Sequence, residues 1–348
     1  MERVTLKEIA DKAGVSIGTV DRALNNRGRI LPETKSHIIE IANSLGYQPN
    51  RLASALRRKT HYRIAVIMSR FPVYFTDELL KGFEIAAKEL QDFNIELEFF
   101  FSDSLSAYEQ EPILNKLAYS EYDAIALNAG GESLSARVDE IISNGTPVVT
   151  FNSDIPGSNR LFYVGENPYR NGRVAGELMG KILGGKGTVA ILAGFSLVTS
   201  HSARAAGFRD YLTEHYPDIR ILDMQEYHDH EDEAYKAMQT LWEKDVAVQG
   251  VFCVSAVGVI GVGNFLKQHL SSSHICLIGY DINNQSAQLL KENYCAALIY
   301  QEPRKQSYKV LHLLYDLLSS NKPEMKEYYT KGGIVVSENL QDYMESDP

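Results

Sequence analysis

Few residue spacings in this chain could carry covalent chemistry. His228-Asp-His230 sets two imidazoles two apart with no third ligand near them, which a solvated turn explains as well as a metal would. Gly184-Gly-Lys-Gly-Thr188 has the composition of a phosphate loop without its spacing, and Gly258-Val-Ile-Gly-Val-Gly263 has its glycines in the wrong order for a dinucleotide fingerprint, so it reads as helix packing. Cys253, Cys276 and Cys295 are odd in number, far apart, and suit a reducing compartment as small buried residues. No Ser-His-Asp arrangement or paired-carboxylate setting stands out. The expectation is a protein that binds rather than catalyses, with no metal and no cofactor.

The residues best suited to recognition lie in the first sixty. Val20, Ala23 and Leu24 take one side of a short helix, leaving Ile17, Gly18, Asp21 and Arg22 on the other. Arg22 could donate to a guanine edge or to a phosphate. Thr5-Leu-Lys-Glu8 is a capping box that starts a preceding helix, Leu6, Ile9, Ala10 and Ala13 follow at helical spacing, and Gly14 stops it. Ser16 caps the next. A third helix spans about 32–45, with Ile38, Ile41, Ala42 and Leu45 inward. Two short helices joined by a glycine turn form a helix-turn-helix whose second helix lies in the major groove; a generic three-helix bundle is the alternative. Charge decides between them. The whole chain carries −10, but residues 1–60 carry +5 and the remainder −15, so attraction to phosphate is confined to one end.

This head resembles the LacI/GalR family of bacterial repressors, without a gap over about 55 residues. The match is carried by Val4-Thr-Leu-Lys-Glu-Ile-Ala-Asp-Lys-Ala-Gly-Val-Ser16, by Thr19-Val20 and Arg22, and by Gly46-Tyr-Gln-Pro-Asn-Arg-Leu-Ala-Ser-Ala-Leu56. The resemblance implies DNA contacts from Thr5, Ser16, Ile17, Gly18, Thr19, Arg22, Asn25, Tyr47, Asn50, Ala53 and Leu56, with Ile17, Gly18 and Arg22 at the base-reading positions. It also implies a hinge helix at about 50–58 that pairs with a partner's copy in the minor groove, Leu56 wedging between base pairs. Ala53 and Leu56 share one helical face, small beside large, as close pairing plus a wedge requires. Arg57, Arg58 and Lys59 would hold phosphates. One such helix alone is marginal, so a homodimer on a pseudo-palindromic operator is expected. Two departures stand out: Asp21 where many members carry Ser, and Gly18, which offers no side chain to a base.

From Tyr62 onward, short apolar strands alternate with amphipathic helices. Strands are expected at 63–68, 95–100, 123–127 and 147–151, with helices at 76–90, 106–118 and 132–144. A second series places strands at 161–165, 187–193, 219–224, 249–254 and 274–279, with helices at 168–183, 202–215, 231–243 and 257–269. Segments 295–300 and 333–337 and a helix at 303–319 complete the sheets. This alternation means parallel sheets, so the fold class is an all-α helix-turn-helix head plus an α/β core of two doubly wound parallel-sheet subdomains. The expected domains are 1–60 and 61–348, the core dividing into about 61–153 with 284–328 and 154–283 with 329–348, and the turn-rich Asn152-Ser-Asp-Ile-Pro-Gly-Ser-Asn159 as their joint.

The core resembles the sugar-binding core shared by that family and periplasmic sugar-binding proteins, through Phe151-Asn-Ser-Asp-Ile-Pro156, Val164-Gly-Glu-Asn-Pro-Tyr169, Arg204-Ala-Ala-Gly-Phe208, Ile278-Gly-Tyr-Asp281 and Ile299-Tyr-Gln-Glu-Pro303. It implies an effector cleft at the strand ends with Arg204 and Asp281 gripping hydroxyls, Gln301 at a hinge position, and Asn152 where an acid is usual, Asp154 substituting for it. Ser255-Ala256 replaces a common Asn-Asp. Tyr74 and Phe75 could stack on a sugar face, with Ser69 nearby. Equally, Asp281 could cap the next helix and Arg204 could form a surface ion pair. No run of about 18 apolar residues occurs and the N-terminus lacks a signal-peptide core, so a cytoplasmic chain with no membrane partner is expected. The resulting expectation is a ligand-responsive repressor of carbohydrate-utilisation genes. The alternatives are a regulator answering to a non-sugar metabolite such as a nucleobase corepressor, a transport-type solute-binding protein, and a nucleotide-using enzyme.

Overall fold

The computed structural model describes residues 5–24, 30–45, 61–244, 247–269, 275–319 and 325–344. In the head, α1 (Leu6–Ala13) starts where the Thr5 hydroxyl accepts from the Glu8 amide at 3.3 Å while the Glu8 carboxylate accepts from the Thr5 amide at 2.6 Å. The bond from the Thr5 amide holds the Glu8 carboxyl below its usual range. Gly14 ends the helix at φ 66°, a left-handed turn that costs glycine nothing. Ser16 then caps α2 (Ile17–Leu24), its hydroxyl accepting from the Thr19 amide at 3.1 Å, and Pro32 opens α3 (Pro32–Ser44). Ile9, Ala10, Val20, Ala23, Ile38 and Ala42 are buried together, two from each helix, and make the head's small core.

The core of the molecule alternates as its sequence does. Its first part runs β1 (Tyr62–Ser69), α4 (Val73–Glu89), β2 (Ile95–Ser102), α5 (Ala107–Leu117), β3 (Ala124–Leu127), α6 (Ser135–Ser143), β4 (Val148–Phe151) and β5 (Tyr163–Gly165). Next come α7 (Pro168–Ile182), β6 (Gly187–Ala193), α8 (Thr199–His215), β7 (Ile219–Ile221), β8 (Gln225–Glu226), α9 (Glu231–Glu243), β9 (Gly250–Cys253) and α10 (Ala256–His269). The last part is β10 (Cys276–Tyr280), α11 (Asn284–Lys291), β11 (Ala297–Tyr300), α12 (Pro303–Leu318), β12 (Glu327–Tyr329), β13 (Gly333–Val335) and α13 (Leu340–Met344). Two sheets result, ordered β12-β5-β4-β3-β1-β2 and β13-β11-β10-β9-β6-β7, with β8 also on β6. All pairings are parallel except β11 with β13. Helices cover both faces, which is why strands such as Ile64–Met68 are apolar at every position rather than at alternate ones.

The lobes divide differently from the expected joint. Thr150 pairs with Tyr163 and Phe151 with Val164, so the strand expected to open the second lobe joins the first sheet, and 152–159 is a loop inside that lobe. Turn-rich composition marks a loop but carries no information on which sheet the following strand joins. Residues 297–300, expected with the first lobe, pair with β10 in the second. The chain then returns in α12, which packs on α4. The chain therefore passes between lobes three times, at 166–167, 301–302 and 330–332. The passages are tied side by side: the Thr330 amide donates to the Gly165 carbonyl at 2.7 Å and its hydroxyl to the Gln301 carbonyl at 3.1 Å, while the Lys331 amide donates to the Glu302 carboxylate at 3.0 Å. Among the described residues no helix is long and apolar enough to cross a membrane.

Candidate DNA-reading face and effector cleft

On the head, burial of Val20 and Ala23 turns the opposite side of α2 to solvent: Ile17 is 49% exposed, and Gly18 and Arg22 are exposed with it. The Arg22 Nε donates to the Gly18 carbonyl at 3.1 Å, leaving the rest of the guanidinium facing outward. Thr5 and Ser16 serve as helix caps at the same end of the bundle's two short helices, and the Thr19 hydroxyl lies 2.9 Å from that of Ser16. Asn25, Tyr47, Asn50, Ala53 and Leu56, and with them the hinge helix expected at about 50–58 and the basic run to Lys59, lie outside the described residues.

In the core, a cleft opens at the carboxyl ends of both sheets, as doubly wound folds dictate. Ser69, Tyr74, Phe75 and Asn152 line it from one lobe, and Arg204, Ser255, Asp281 and Gln301 from the other, so eight of the nine expected residues come together. The ninth, Asp154, does not. Its carboxylate takes the Nε of Arg160 at 2.6 Å and the Thr150 hydroxyl at 2.5 Å, pinning the 152–159 loop. The direction of Asn152 and Asp281 has a backbone cause. Each is the first residue past its strand and each is left-handed, at φ 61°, which swings the side chain off the sheet and into the cleft. Asn283, not Asp281, caps α11: its side chain accepts from the amides of Gln285 at 2.8 Å and Ser286 at 2.9 Å.

The polar residues of this region that sequence reasoning missed include Asn128, His201, Asp229 and Glu166. Glu166 is fully buried and pairs with Arg204, whose Nε donates to its carboxylate at 2.5 Å. The other Glu166 oxygen accepts from the Asn171 amide. Arg204 also donates to the Val254 carbonyl at 2.8 Å and the Gln301 side-chain oxygen at 2.9 Å, and its guanidinium lies 3.9 Å from the Tyr280 ring centre. So Arg204 forms an ion pair, but a buried one, and most of its donors serve the protein. The network continues: Asn152 donates to the same Gln301 oxygen at 3.0 Å, Asn128 to Asn152 at 3.1 Å, and the Gln301 amide to one Asp281 oxygen at 2.7 Å. The second oxygen of Asp281 is buried and accepts no hydrogen bond. Burial pushes the Asp281 carboxyl up to about 7, against the opposing pull of Arg204 and Gln301. Burial also lowers His201, which stays neutral, its Nδ1 accepting from the Phe195 amide at 3.2 Å.

Helix α8, which carries His201 and Arg204, is held firmly. A Cβ on Gly172 would lie 2.1 Å from the Arg204 carbonyl and one on Gly207 2.0 Å from the Tyr169 carbonyl, so the two glycines are what let α7 and α8 touch backbone to backbone. One turn past Arg204, Phe208 stacks on Phe252 of β9 with ring centres 4.4 Å apart. The other polar spot is a relay from the buried Tyr227 hydroxyl to Ser255 at 2.6 Å and from Ser255 to Asp229 at 2.7 Å. Elsewhere, His228 bonds Glu233 at 2.8 Å, and Gly261 permits α10 to meet the Glu231 carbonyl of α9. Cys253 and Cys295 are buried, and all three cysteines are free.

A helix-turn-helix head followed by a two-lobed α/β core with a polar strand-end cleft defines a DNA-binding regulator on a solute-binding scaffold. Comparison with known proteins agrees at both ends. Residues 5–50 match the model of bacterial regulatory proteins of the lacI family, and residues 64–322 match the periplasmic binding protein domain. The chain belongs to the periplasmic binding protein domain family through its core and carries a lacI-family regulatory domain as its head. It is 28% identical over 286 residues to the probable HTH-type transcriptional repressor ExuR of Bacillus subtilis, covering 80% of this chain and 81% of the relative. It is 27% identical to the sucrose operon repressor of Pediococcus pentosaceus, covering 79% and 81%. The core resembles the crystal structure of GanP, a glucose-galactose binding protein from Geobacillus stearothermophilus, with a TM-score of 0.76 and 27% identity, over 81% of this chain and 99% of that one.

Proposed function

We propose that the protein is a cytoplasmic repressor of carbohydrate-utilisation genes, dimeric on a pseudo-palindromic operator, with a small sugar-like effector in its core cleft and no catalytic activity of its own. The observation that carries this is the unpartnered, buried Asp281 oxygen, which with the equally unpartnered Tyr74 hydroxyl lines a polar cleft. An oxygen so placed calls for a donor from outside the protein, and a sugar hydroxyl is one. Relatives named as a sucrose operon repressor and a glucose-galactose binding protein support the class. The head lays the face of α2 that carries Ile17, Gly18 and Arg22 against the bases, with side-chain contacts from Ile17 and Arg22, while Ala53 and Leu56 act in the minor groove. An effector that binds one arrangement of the two lobes better than another shifts the population between them.

Two substitutions test the division of labour. Leu56→Ala weakens specific operator binding in gel shifts and leaves effector affinity by calorimetry unchanged. Asp281→Asn does the reverse. Loss of both activities in either variant would sink the modular reading, and sugar turnover by the wild-type chain would sink the non-catalytic one.

A further inference from the structure

The charge of the cleft selects among effectors more sharply than its hydroxyl-binding groups do. Resting on the reading of this cleft as the effector site, the geometry points to a site for neutral and amino-bearing polyols that rejects sugar acids and sugar phosphates. Among the described lining residues the ionisable carboxyls are Asp229 and Asp281, and Arg204 is the one fixed cation. Arg204 is not available to an anion: Glu166, fully buried behind it, already balances it through a hydrogen-bonded pair. His201, the other basic side chain on the lining, is neutral, its pKa lowered by burial. What is left facing a ligand is a net excess of acid, Asp229 and Asp281, because Arg204 is already paired to Glu166.

Asp229 is the decisive residue. At 255–256, where the resemblance leads one to expect Asn-Asp, this chain has Ser-Ala and so lacks a carboxylate on that strand end. Asp229 supplies one from a different loop, turned toward the cleft at φ 53° and fixed by the Ser255 hydroxyl at 2.7 Å, which in turn meets the buried Tyr227 hydroxyl. The unpartnered oxygen of Asp281 provides the second acceptor. The Tyr74 hydroxyl is buried close enough to both carboxylates for them to raise its pKa after burial itself, so it acts as a donor-acceptor and never as a charge. A ligand ammonium or a set of hydroxyls satisfies these acceptors; a carboxylate or phosphate brought against them meets repulsion in a water-poor site.

The test is a thermal-shift and calorimetric panel on the full chain: glucose and galactose, their 2-amino sugars, their uronic acids and their 6-phosphates. Amino sugars and neutral hexoses are expected to bind at least tenfold tighter than the acids and phosphates of the same ring. In Asp229→Asn the amino-sugar affinity falls and the penalty on the uronic acids shrinks severalfold, the melting temperature without ligand confirming that the variant is folded. Uronic acid or sugar phosphate binding as tightly as the neutral hexose overturns the charge inference and leaves the sugar reading standing. Binding of no sugar in the panel overturns the sugar reading, and the charge inference with it.

Discussion

Replacing Glu166 by Gln removes one charge from the buried pair that anchors Arg204 and keeps nearly the same shape. At an effective dielectric constant near 20, two unit charges about 4 Å apart attract by about 4 kcal/mol. Part of that is recovered. Arg204 keeps the Val254 carbonyl and the Gln301 oxygen, and Glu166 now raises the Asp281 carboxyl, so its loss lets Asp281 ionise more readily and share the charge. Against this, the new amide would turn one donor toward Asn171, which now donates to Glu166. The net expectation is a loss of about 3 kcal/mol, in line with stranded partners of buried pairs elsewhere. For a core of this size that lowers the melting temperature by about 5 °C. Urea titration followed by Trp242 fluorescence measures it. A second variant separates charge from packing: Glu166→Leu with Arg204→Met removes both charges, and its stability returns to within about 1 kcal/mol of wild type. A loss below about 1 kcal/mol in Glu166→Gln alone, or a double variant no better than the single one, would refute the assignment of Glu166 as the counter-charge.

Four further outcomes follow from the geometry. Asp281, at 3.8 unfolded and about 7 folded, ionises in the unfolded chain first, so the stability it lends at low pH is lost as pH rises from about 4 to 7. The unfolding free energy of wild type from urea titration should therefore fall across that window relative to Asp281→Asn, by an amount on the order of 4 kcal/mol, and parallel pH curves would refute it. An effector donating to the free Asp281 oxygen favours the charged form, so binding near pH 6.5 should release protons, seen as a dependence of calorimetric heat on buffer ionisation enthalpy. Thr5→Ala removes one side of the capping box and costs the head about 1 kcal/mol, weakening operator affinity in gel shifts while calorimetric effector affinity holds. Gly207→Ala forces α7 and α8 apart for an overpacking cost of about 1–3 kcal/mol, and because α8 carries Arg204 and His201 it should weaken effector binding too.

Much of this was legible in the sequence, for identifiable reasons. Capping-box chemistry is local, so Thr5, Glu8, Gly14 and Ser16 announced the head's first two helices to the residue. Fully buried parallel strands are apolar at every position, which marked most of the strands. Strand-end residues such as Asn152, Asp281 and Gln301 fell into the cleft because position along a doubly wound sheet decides that. Pairing partners are not local, so nothing in 161–165 said that it would lie beside β4, and the short β12 and β8 carry too few residues for any period to show. Asp154 was misplaced for a related reason: three residues beyond a strand end, the left-handed turn at Asn152 sends it to Arg160 instead. Glu166 could have been found. It is an acid directly after an apolar strand and just before an Asn-Pro helix start, where burial demands a cation. Asp229, three residues past a two-residue strand, left no such mark.

The three passages between lobes bear on synthesis as well as on motion. Neither lobe is a continuous stretch of chain. The first needs β12, ending at Tyr329, to finish its sheet, and α12 to cover α4; the second needs β13, ending at Val335. As the polypeptide emerges from the ribosome, both sheets must wait, each missing an edge, until almost the whole of the described core has been made. During that interval β5 and β11 present open edges of the kind that pair with a neighbour's chain. Nascent copies on one crowded messenger therefore run a risk of exchanging edge strands at β5 and β11, which the finished protein covers with β12 and β13.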